Sequence, residues 1–450
     1  MKKKHTSLIT TRIIMLGFLV GIVLGTLLLC LPFSTKTGQN ISAIDALFVA
    51  VSSICVTGLS TINIGQTFTF FGQFVLLLLI QVGGLGIVTF TTLVLMAVGK
   101  RLNLSDRLLL QNAYNTDTLA GLLKLTLRIV KVTLIIEGIG ACLYALVFIP
   151  EYGPMGIWYS IFHSVSAFCN AGIDLLGGNS FCQYRDNVII NLTTMSLIVV
   201  GGLGFPVYWV IGRYLKFLNT RNRSSVVKLN LQTKIVLSAT LSLILTGAVL
   251  TMLFEWNNPD TLGNLPIGNK IMASFFQSVT LRTAGFATID QSFFKASSCT
   301  LYLVLMLIGG SPSGTAGGIK TITIVIMFAS MFSNIKGDNH VTLFNRKVSD
   351  DYVRRCTAIA TFSISVLLVL TTCFLQAQDC NFLDALFEMT SAIATVGLSR
   401  GLTSELTLMG KLILCTAMYL GRIGPITLAL AFHYKKNSDI TFAENKIIVG

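Results

Sequence analysis

Hydrophobic positions in this chain fall in long unbroken runs rather than in alternation with polar ones. Eight runs, near 12–33, 72–99, 127–149, 187–212, 233–254, 300–332, 356–376 and 407–432, are long enough to cross a bilayer core as helices rising about 1.5 Å per residue. The run 300–332 exceeds one plain span and is interrupted by glycines. Four more apolar stretches, about 42–56, 157–169, 271–282 and 383–394, are too short to cross and predict re-entrant half-spans. The order span, short helix, span therefore recurs four times. Ser42 with Asp45, Asn269, and Asn381 with Asp384 mark the expected starts of three short helices.

A shorter frame recurs inside this pattern, a Phe followed ten residues later by a Gly. It appears as Phe48…Gly58, Phe162…Gly172, Phe275…Gly285 and Phe387…Gly397, the glycines lying 114, 113 and 112 residues apart. Each unit crosses twice, so all four share one orientation, unlike the inverted repeats of many secondary carriers. The expectation is an all-α polytopic membrane protein with eight transmembrane helices and four re-entrant pore helices. These would stand in pseudo-fourfold arrangement around one central pore, with repeats at 1–100, 101–218, 219–336 and 337–450.

Composition agrees. Apolar residues make up 53% and charged residues 12%, against about 25% charged in soluble domains. The net charge of +14 could suggest nucleic acid, but its placement argues otherwise. Of 33 Lys and Arg, 24 lie at the N-terminus, in the loops 100–131, 213–234 and 336–355, or after 434. That asymmetry is the positive-inside pattern and predicts cytoplasmic termini in the cytoplasmic membrane, with lipid and not nucleic acid as the contact. Lys2-Lys3-Lys4 before an apolar run resembles a secretory signal, but the run can span and no Ala-x-Ala site follows, so an uncleaved first span is expected. Ten scattered cysteines form no metal-binding pattern; Cys182, Cys299 and Cys380 would face outward, where pairing stays open. No nucleophile pair, metal cluster or phosphate motif suggests an enzyme.

The chemistry is expected at the glycine loops. A cation entering hydrocarbon needs oxygen ligands, and backbone carbonyls are neutral, rigid donors. A loop aiming carbonyls at one axis needs a residue that tolerates unusual φ, which Gly supplies. Short helices entering from outside also point their carbonyl ends inward. Gly58, Gly172, Gly285 and Gly397 are thus expected to hold the ion by their carbonyls. A lone glycine there would mean only a helix end; four at one period argue for a filter.

A second glycine-rich segment, 309–318, interrupts the third unit's second run, with Gly310, Ser311, Pro312, Ser313, Gly314, Thr315, Ala316 and Gly317 at its centre. It cannot continue a helix, and irregular backbone at membrane depth must line a cavity or pack on protein. A kinked helix is the plainer alternative; a phosphate loop fails because Ile319 separates Gly318 from Lys320. Gly83–Gly86, Gly201–Gly204 and Gly421–Gly424 occupy corresponding places, the first read as close helix packing. Lys320 and Arg422 are charges at membrane depth, Lys320 with the option of reaching the cytoplasm. Arg282 is expected to brace the loop backbone. Glu137 should pair or face another helix and is the clearest deep carboxylate, though outside the repeat frame; His163 should be hydrogen-bonded structure rather than a proton relay.

The loops Val56-Thr57-Gly58-Leu59-Ser60-Thr61, Asn170-Ala171-Gly172-Ile173-Asp174, Arg282-Thr283-Ala284-Gly285-Phe286 and Thr395-Val396-Gly397-Leu398-Ser399 resemble the four pore loops of the Trk/Ktr/HKT cation-transporter superfamily. The resemblance covers nearly the whole chain and lies nearest the membrane subunit of bacterial Ktr-type potassium uptake systems, although Ile173 stands where Phe is expected. It implies a selectivity filter at Thr57, Gly58, Asn170, Ala171, Gly172, Thr283, Ala284, Gly285, Thr395, Val396 and Gly397. It also implies an intramembrane gate at 309–318, with Arg422 facing the pore beside it. Gly58, where sodium-preferring members carry Ser, implies potassium as cargo, with sodium as a second candidate. No covalently bound cofactor is implied. The expected partners are a second copy, giving a homodimer, and a cytosolic nucleotide-binding regulatory ring, through which alone nucleotide would act. The rival expectation is a secondary symporter coupled to sodium or proton, which would need embedded carboxylates at the site.

Overall fold

The computed structural model describes residues 2–38, 41–86, 122–177, 179–219, 229–338 and 340–424, with a few positions between 89 and 96. The expected boundary at 100–101 lies outside the described residues, as do most of 87–99 and all of 425–432 at the ends of two apolar runs.

Four long helices, Lys2–Leu29, Leu122–Tyr152, Leu231–Glu255 and Asp350–Ala377, contain the stretches long and apolar enough to cross a membrane. Each turns an apolar face outward, for example Leu27, Leu146, Leu253 and Val369, while hydroxyls and amides such as Ser52, Ser166, Asn191 and Gln277 are buried. An apolar exterior around a polar interior suits a hydrocarbon solvent rather than water.

Each long helix is followed by a short one: Ala43–Cys55, Met155–Cys169, Ile267–Thr280 and Phe382–Ile393. Ser42 accepts a hydrogen bond from the Asp45 amide and caps the first. The Asn381 side chain meets Asp384 instead of the backbone. Asn269 is not a helix start, contrary to expectation. Pro266, with φ already fixed at −59°, takes the cap position three residues earlier, so the helix begins at Ile267, and Asn269 donates to Asp186 at 2.7 Å.

The second apolar run of the first, second and fourth groups was expected to be one helix, and it is not. Phe70–Leu85 ends at Gly86, Val188–Leu203 at Gly204 and Leu408–Ile423 at Gly424. These three glycines share one conformation (φ/ψ 85°/138°, 89°/139° and 88°/142°) that side-chain-bearing residues avoid. At Gly204 the chain turns by 99° into Phe205–Asn219. In the third group the break widens into the segment between Ala296–Leu307 and Thr321–Lys336.

Gly83, Gly201 and Gly421, each three residues before a break, press on the carbonyls of Ile54, Phe168 and Ile393, where a side-chain carbon would overlap the oxygen. Close packing thus explains Gly83, and the break explains Gly86. Lys411 pairs with Asp45 at 2.6 Å and Arg400 with Asp384 at 2.7 Å, the first joining the last group to the first. Among the described residues the all-α expectation fails at a hairpin, Thr342–Leu343 with Arg346–Lys347, whose two turn residues Phe344 and Asn345 both have positive φ. All ten cysteines are free, Cys182, Cys299 and Cys380 among them.

Candidate functional site

The ends of the four short helices carry the same backbone signature. Two residues before each glycine the chain is left-handed: Val56, Asn170, Thr283 and Thr395 have φ of 57°, 60°, 66° and 52°. The glycines follow at 103°, 64°, 85° and 92°. In ordinary extended chain, successive carbonyls point to opposite sides. Reversing handedness at every second residue lets neighbouring carbonyls face the same way.

The four turns meet. A carbon added to Gly58 would lie 2.5 Å from the Ala171 carbonyl oxygen, and one on Gly285 2.5 Å from that of Val396. Gly172 presses likewise on the Ala284 carbonyl and Gly397 on that of Thr57, so the contacts close a ring in chain order. Every glycine abuts the carbonyl of the residue before the next glycine. All eleven residues expected at the filter lie in these turns, and the Thr57 and Thr395 hydroxyls are buried without a protein partner. The ring opens on one side to a vestibule of about 460 Å³, lined by the four glycines and by Asn63, Asp174, Asp290 and Gln291. Burial pushes the Asp174 carboxyl up to about 6, against the amides of Leu176 and Gly177.

Each turn is braced by a hydroxyl that the Phe–Gly frame overlooked. The Ser52, Ser166, Thr280 and Ser391 carbonyls accept from the Thr57, Ala171, Ala284 and Val396 amides at 2.8–3.0 Å. The Ser52 and Ser391 hydroxyls accept from the Gly58 and Gly397 amides, both at 3.0 Å. Ser166 and Thr280 instead donate to the Ile173 and Phe286 carbonyls, at 2.7 and 2.6 Å. The serines sit six residues before their glycine, Thr280 only five, so the third turn is one residue shorter. The fully buried Phe of that helix is accordingly Phe276, not Phe275. A Ser or Thr four residues after each buried Phe was the available signal.

The next layer is polar in three of four places. His163 bonds the Tyr159 carbonyl through Nδ1 at 2.7 Å and faces the Leu175 amide through Nε2 at 3.3 Å. Gln277 pairs with Gln291 at 2.6 Å, and Glu388 accepts from the Thr403 hydroxyl. Glu137 faces the Gln81 amide at 3.2 Å. Arg282 does not brace the turn through its guanidinium as expected; that group reaches the Thr240 carbonyl at 3.3 Å, because the side chain leaves the ring towards the Leu231–Glu255 helix.

The 309–318 segment lies on the other side of the ring from the vestibule. Its neck is closed by the Gly309 amide on the Ile319 carbonyl and the Ile319 amide on that of Leu307, both 3.0 Å. Its tip is fastened to the break at Gly204. The Ser311 amide donates to Gly202 at 2.9 Å, Thr315 to Gly201 at 3.2 Å, and Phe205 to Ser313 at 3.2 Å. Arg422 donates to the Thr315 carbonyl at 2.6 Å and to that of Gly83, tying the segment to the fourth and first groups. Lys320 does not extend away as the alternative allowed; its ammonium folds back on the Ala316 carbonyl at 2.6 Å and caps the segment.

A sequence model of the TrkH family, described as cation transport protein, matches residues 9–444. The chain belongs to the TrkH cation transport family. It is 35% identical to Ktr system potassium uptake protein B of Bacillus subtilis over 98% of this chain and 96% of that one. It is 37% identical to potassium/sodium uptake protein NtpJ of Enterococcus hirae over 100% and 99%. The crystal structure of the potassium transporter TrkH from Vibrio parahaemolyticus shares the fold, with a TM-score of 0.74 at 17% identity over 94% of this chain and 84% of that one. The resemblance read from the pore loops therefore holds, and this TrkH-family chain is a multi-pass membrane protein of a cation-transporter family, not an enzyme.

Proposed function

We propose that this chain is the ion-translocating subunit of a Ktr-type potassium uptake system and works as a channel. The observation that carries the proposal is the closed ring, in which four glycine turns each abut the next turn's carbonyl. Potassium leaves its water in the vestibule and is held by the carbonyls of Gly58, Gly172, Gly285, Gly397 and their neighbours. Carbonyl oxygens replacing a hydration shell are the basis of potassium filters. Flow follows the ion gradient and the membrane potential, about 2.3 kcal/mol per charge per 100 mV. The 309–318 segment, with Lys320 and Arg422, is the gate on the cytoplasmic side.

In this proposal the repeats are 1–100, 101–218, 219–336 and 337–450, each crossing twice, the second crossing broken at its glycine. The termini are cytoplasmic, the subunit forms a homodimer, and a nucleotide-binding ring docks on the basic inner loops. The names of the relatives from Bacillus subtilis and Enterococcus hirae support potassium, with sodium as a second cation.

The test is rubidium uptake into liposomes holding the full chain, with potassium or sodium as competitor. Potassium should compete far better than sodium, and removing residues 311–316 should raise flux. Equal competition by the two ions would sink the filter, and unaltered flux after the deletion would sink the gate. A symporter would need a carboxylate at the ring. Glu137 and Glu388 face Gln81 and Thr403, but Asp174 and Asp290 line the vestibule beside the ring, so the pH test decides: a reversal potential that moves with pH alone would favour the symporter.

A further inference from the structure

The residues that begin the left-handed turns, Val56, Asn170, Thr283 and Thr395, share a backbone but not a chemistry, and the 309–318 segment accounts for the difference. The Thr315 hydroxyl lies 3.1 Å from the Asn170 side-chain oxygen and 3.0 Å from the Phe168 carbonyl, the end of the second short helix. The Gly317 amide donates to the Thr283 hydroxyl at 3.1 Å. Gly317 also lies so close to the Thr395 hydroxyl that a side-chain carbon there would overlap it. Three polar side chains hanging below the ring thus each meet the segment. The fourth, Val56, meets Gly83 instead, and the Gly83 carbonyl is taken by Arg422.

Gly201 is part of the same device. A carbon there would lie 2.9 Å from both the Thr315 hydroxyl and the Asn170 side-chain oxygen, so glycine leaves that contact free to form. Asn170 in turn reaches the Arg282 carbonyl of the third turn at 3.4 Å. Thr315 therefore touches a group that joins two neighbouring turns.

We infer that the segment is also a brace for the ring, with Thr315 as a positioning residue for the cation-selective geometry through Asn170 and Thr283. This rests on the proposed assignment of ring and segment as filter and gate. Withdrawing the segment removes a hydroxyl donor from Asn170 and Phe168 and an amide donor from Thr283. The second and third turns then lose their lower supports while the first keeps its own. The coupling is reciprocal: a ring that holds its ion best when braced holds the segment best when occupied. The open state therefore discriminates less sharply between potassium and sodium than the closed one.

The test uses the full-length chain in liposomes and reads rubidium flux and rubidium-over-sodium preference together. Thr315→Val keeps the shape and removes the hydroxyl. Flux should rise and the preference fall about fivefold, the range expected for one lost hydrogen bond. Thr315→Ser should restore both. Thr283→Val, which removes the acceptor for Gly317, should act in the same direction and serves if Thr315→Val does not assemble as judged by gel filtration. Higher flux at unchanged preference overturns the brace and leaves the gate standing. No change in either overturns the brace as well. Gly58→Ser is measured alongside, and an unchanged preference there would remove the filter assignment itself.

Discussion

Replacing Gly58 by Ser gives the sharpest test of the ring. Gly58 has φ of +103°, beyond the left-handed region that other residues tolerate, so any side chain there carries backbone strain of about 1–3 kcal/mol. The new carbon would also stand 2.5 Å from the Ala171 carbonyl oxygen and 3.2 Å from the α-carbon of Gly397. No flexible side chain lies in the way, so the Ala171 carbonyl, one of the oxygens that the proposed filter offers to the ion, must move. If about 1.4 kcal/mol of the cost falls on the potassium-bound form, preference for potassium over sodium drops about tenfold. Gly38 supplies the control. It has φ of +85° but open space around it, so Gly38→Ser brings comparable strain without displacing a carbonyl. It should lower thermal stability and leave preference alone. Rubidium uptake with competing sodium reads both variants. A Gly58→Ser chain that assembles normally and keeps its preference within about twofold, below 0.5 kcal/mol, would refute the reasoning.

Arg422→Ala removes two charge-assisted hydrogen bonds to the Thr315 and Gly83 carbonyls, each worth about 1.5–3 kcal/mol, and should raise rubidium flux severalfold. Flux at or below that of the unaltered chain would show that the arginine does not hold the segment closed. Asp174, pushed up to about 6 by burial, is charged above that pH and neutral below it. Cation uptake at low ion concentration should fall as pH drops from 7 to 5, and Asp174→Asn should flatten that dependence. Burial alone would raise the Asp45 carboxyl, but hydrogen bonds from Lys411, Ser42 and Thr61 and the charge of the ammonium outweigh it and hold the group below its usual range. Its stabilising contribution is complete above the ordinary aspartate value of about 3.9 and disappears as pH falls through the lowered one. Melting temperature in detergent between pH 5 and 3 should therefore decline less steeply in Asp45→Asn.

The sequence by itself determined the class of solvent, the fourfold recurrence and the position of the four glycine turns. Run length and the segregation of Lys and Arg are local properties that a bilayer reads directly. A lone glycine after an apolar stretch would mean only a helix end, so Gly58, Gly172, Gly285 and Gly397 were legible through their common frame and period, not one at a time. Tertiary structure alone decided what depends on a second part of the chain. Only in the fold does each glycine press on the next turn's carbonyl, since that contact joins residues more than a hundred positions apart. The same holds for Arg422 on the Thr315 carbonyl, Thr315 beside Asn170, and the one-residue shortening that makes Phe276 the counterpart of Phe48. A hydropathy run cannot reveal a break at Gly86, Gly204 or Gly424. Apolar residues continue past each of these glycines in the sequence, and what stops the helix is a backbone angle at the glycine.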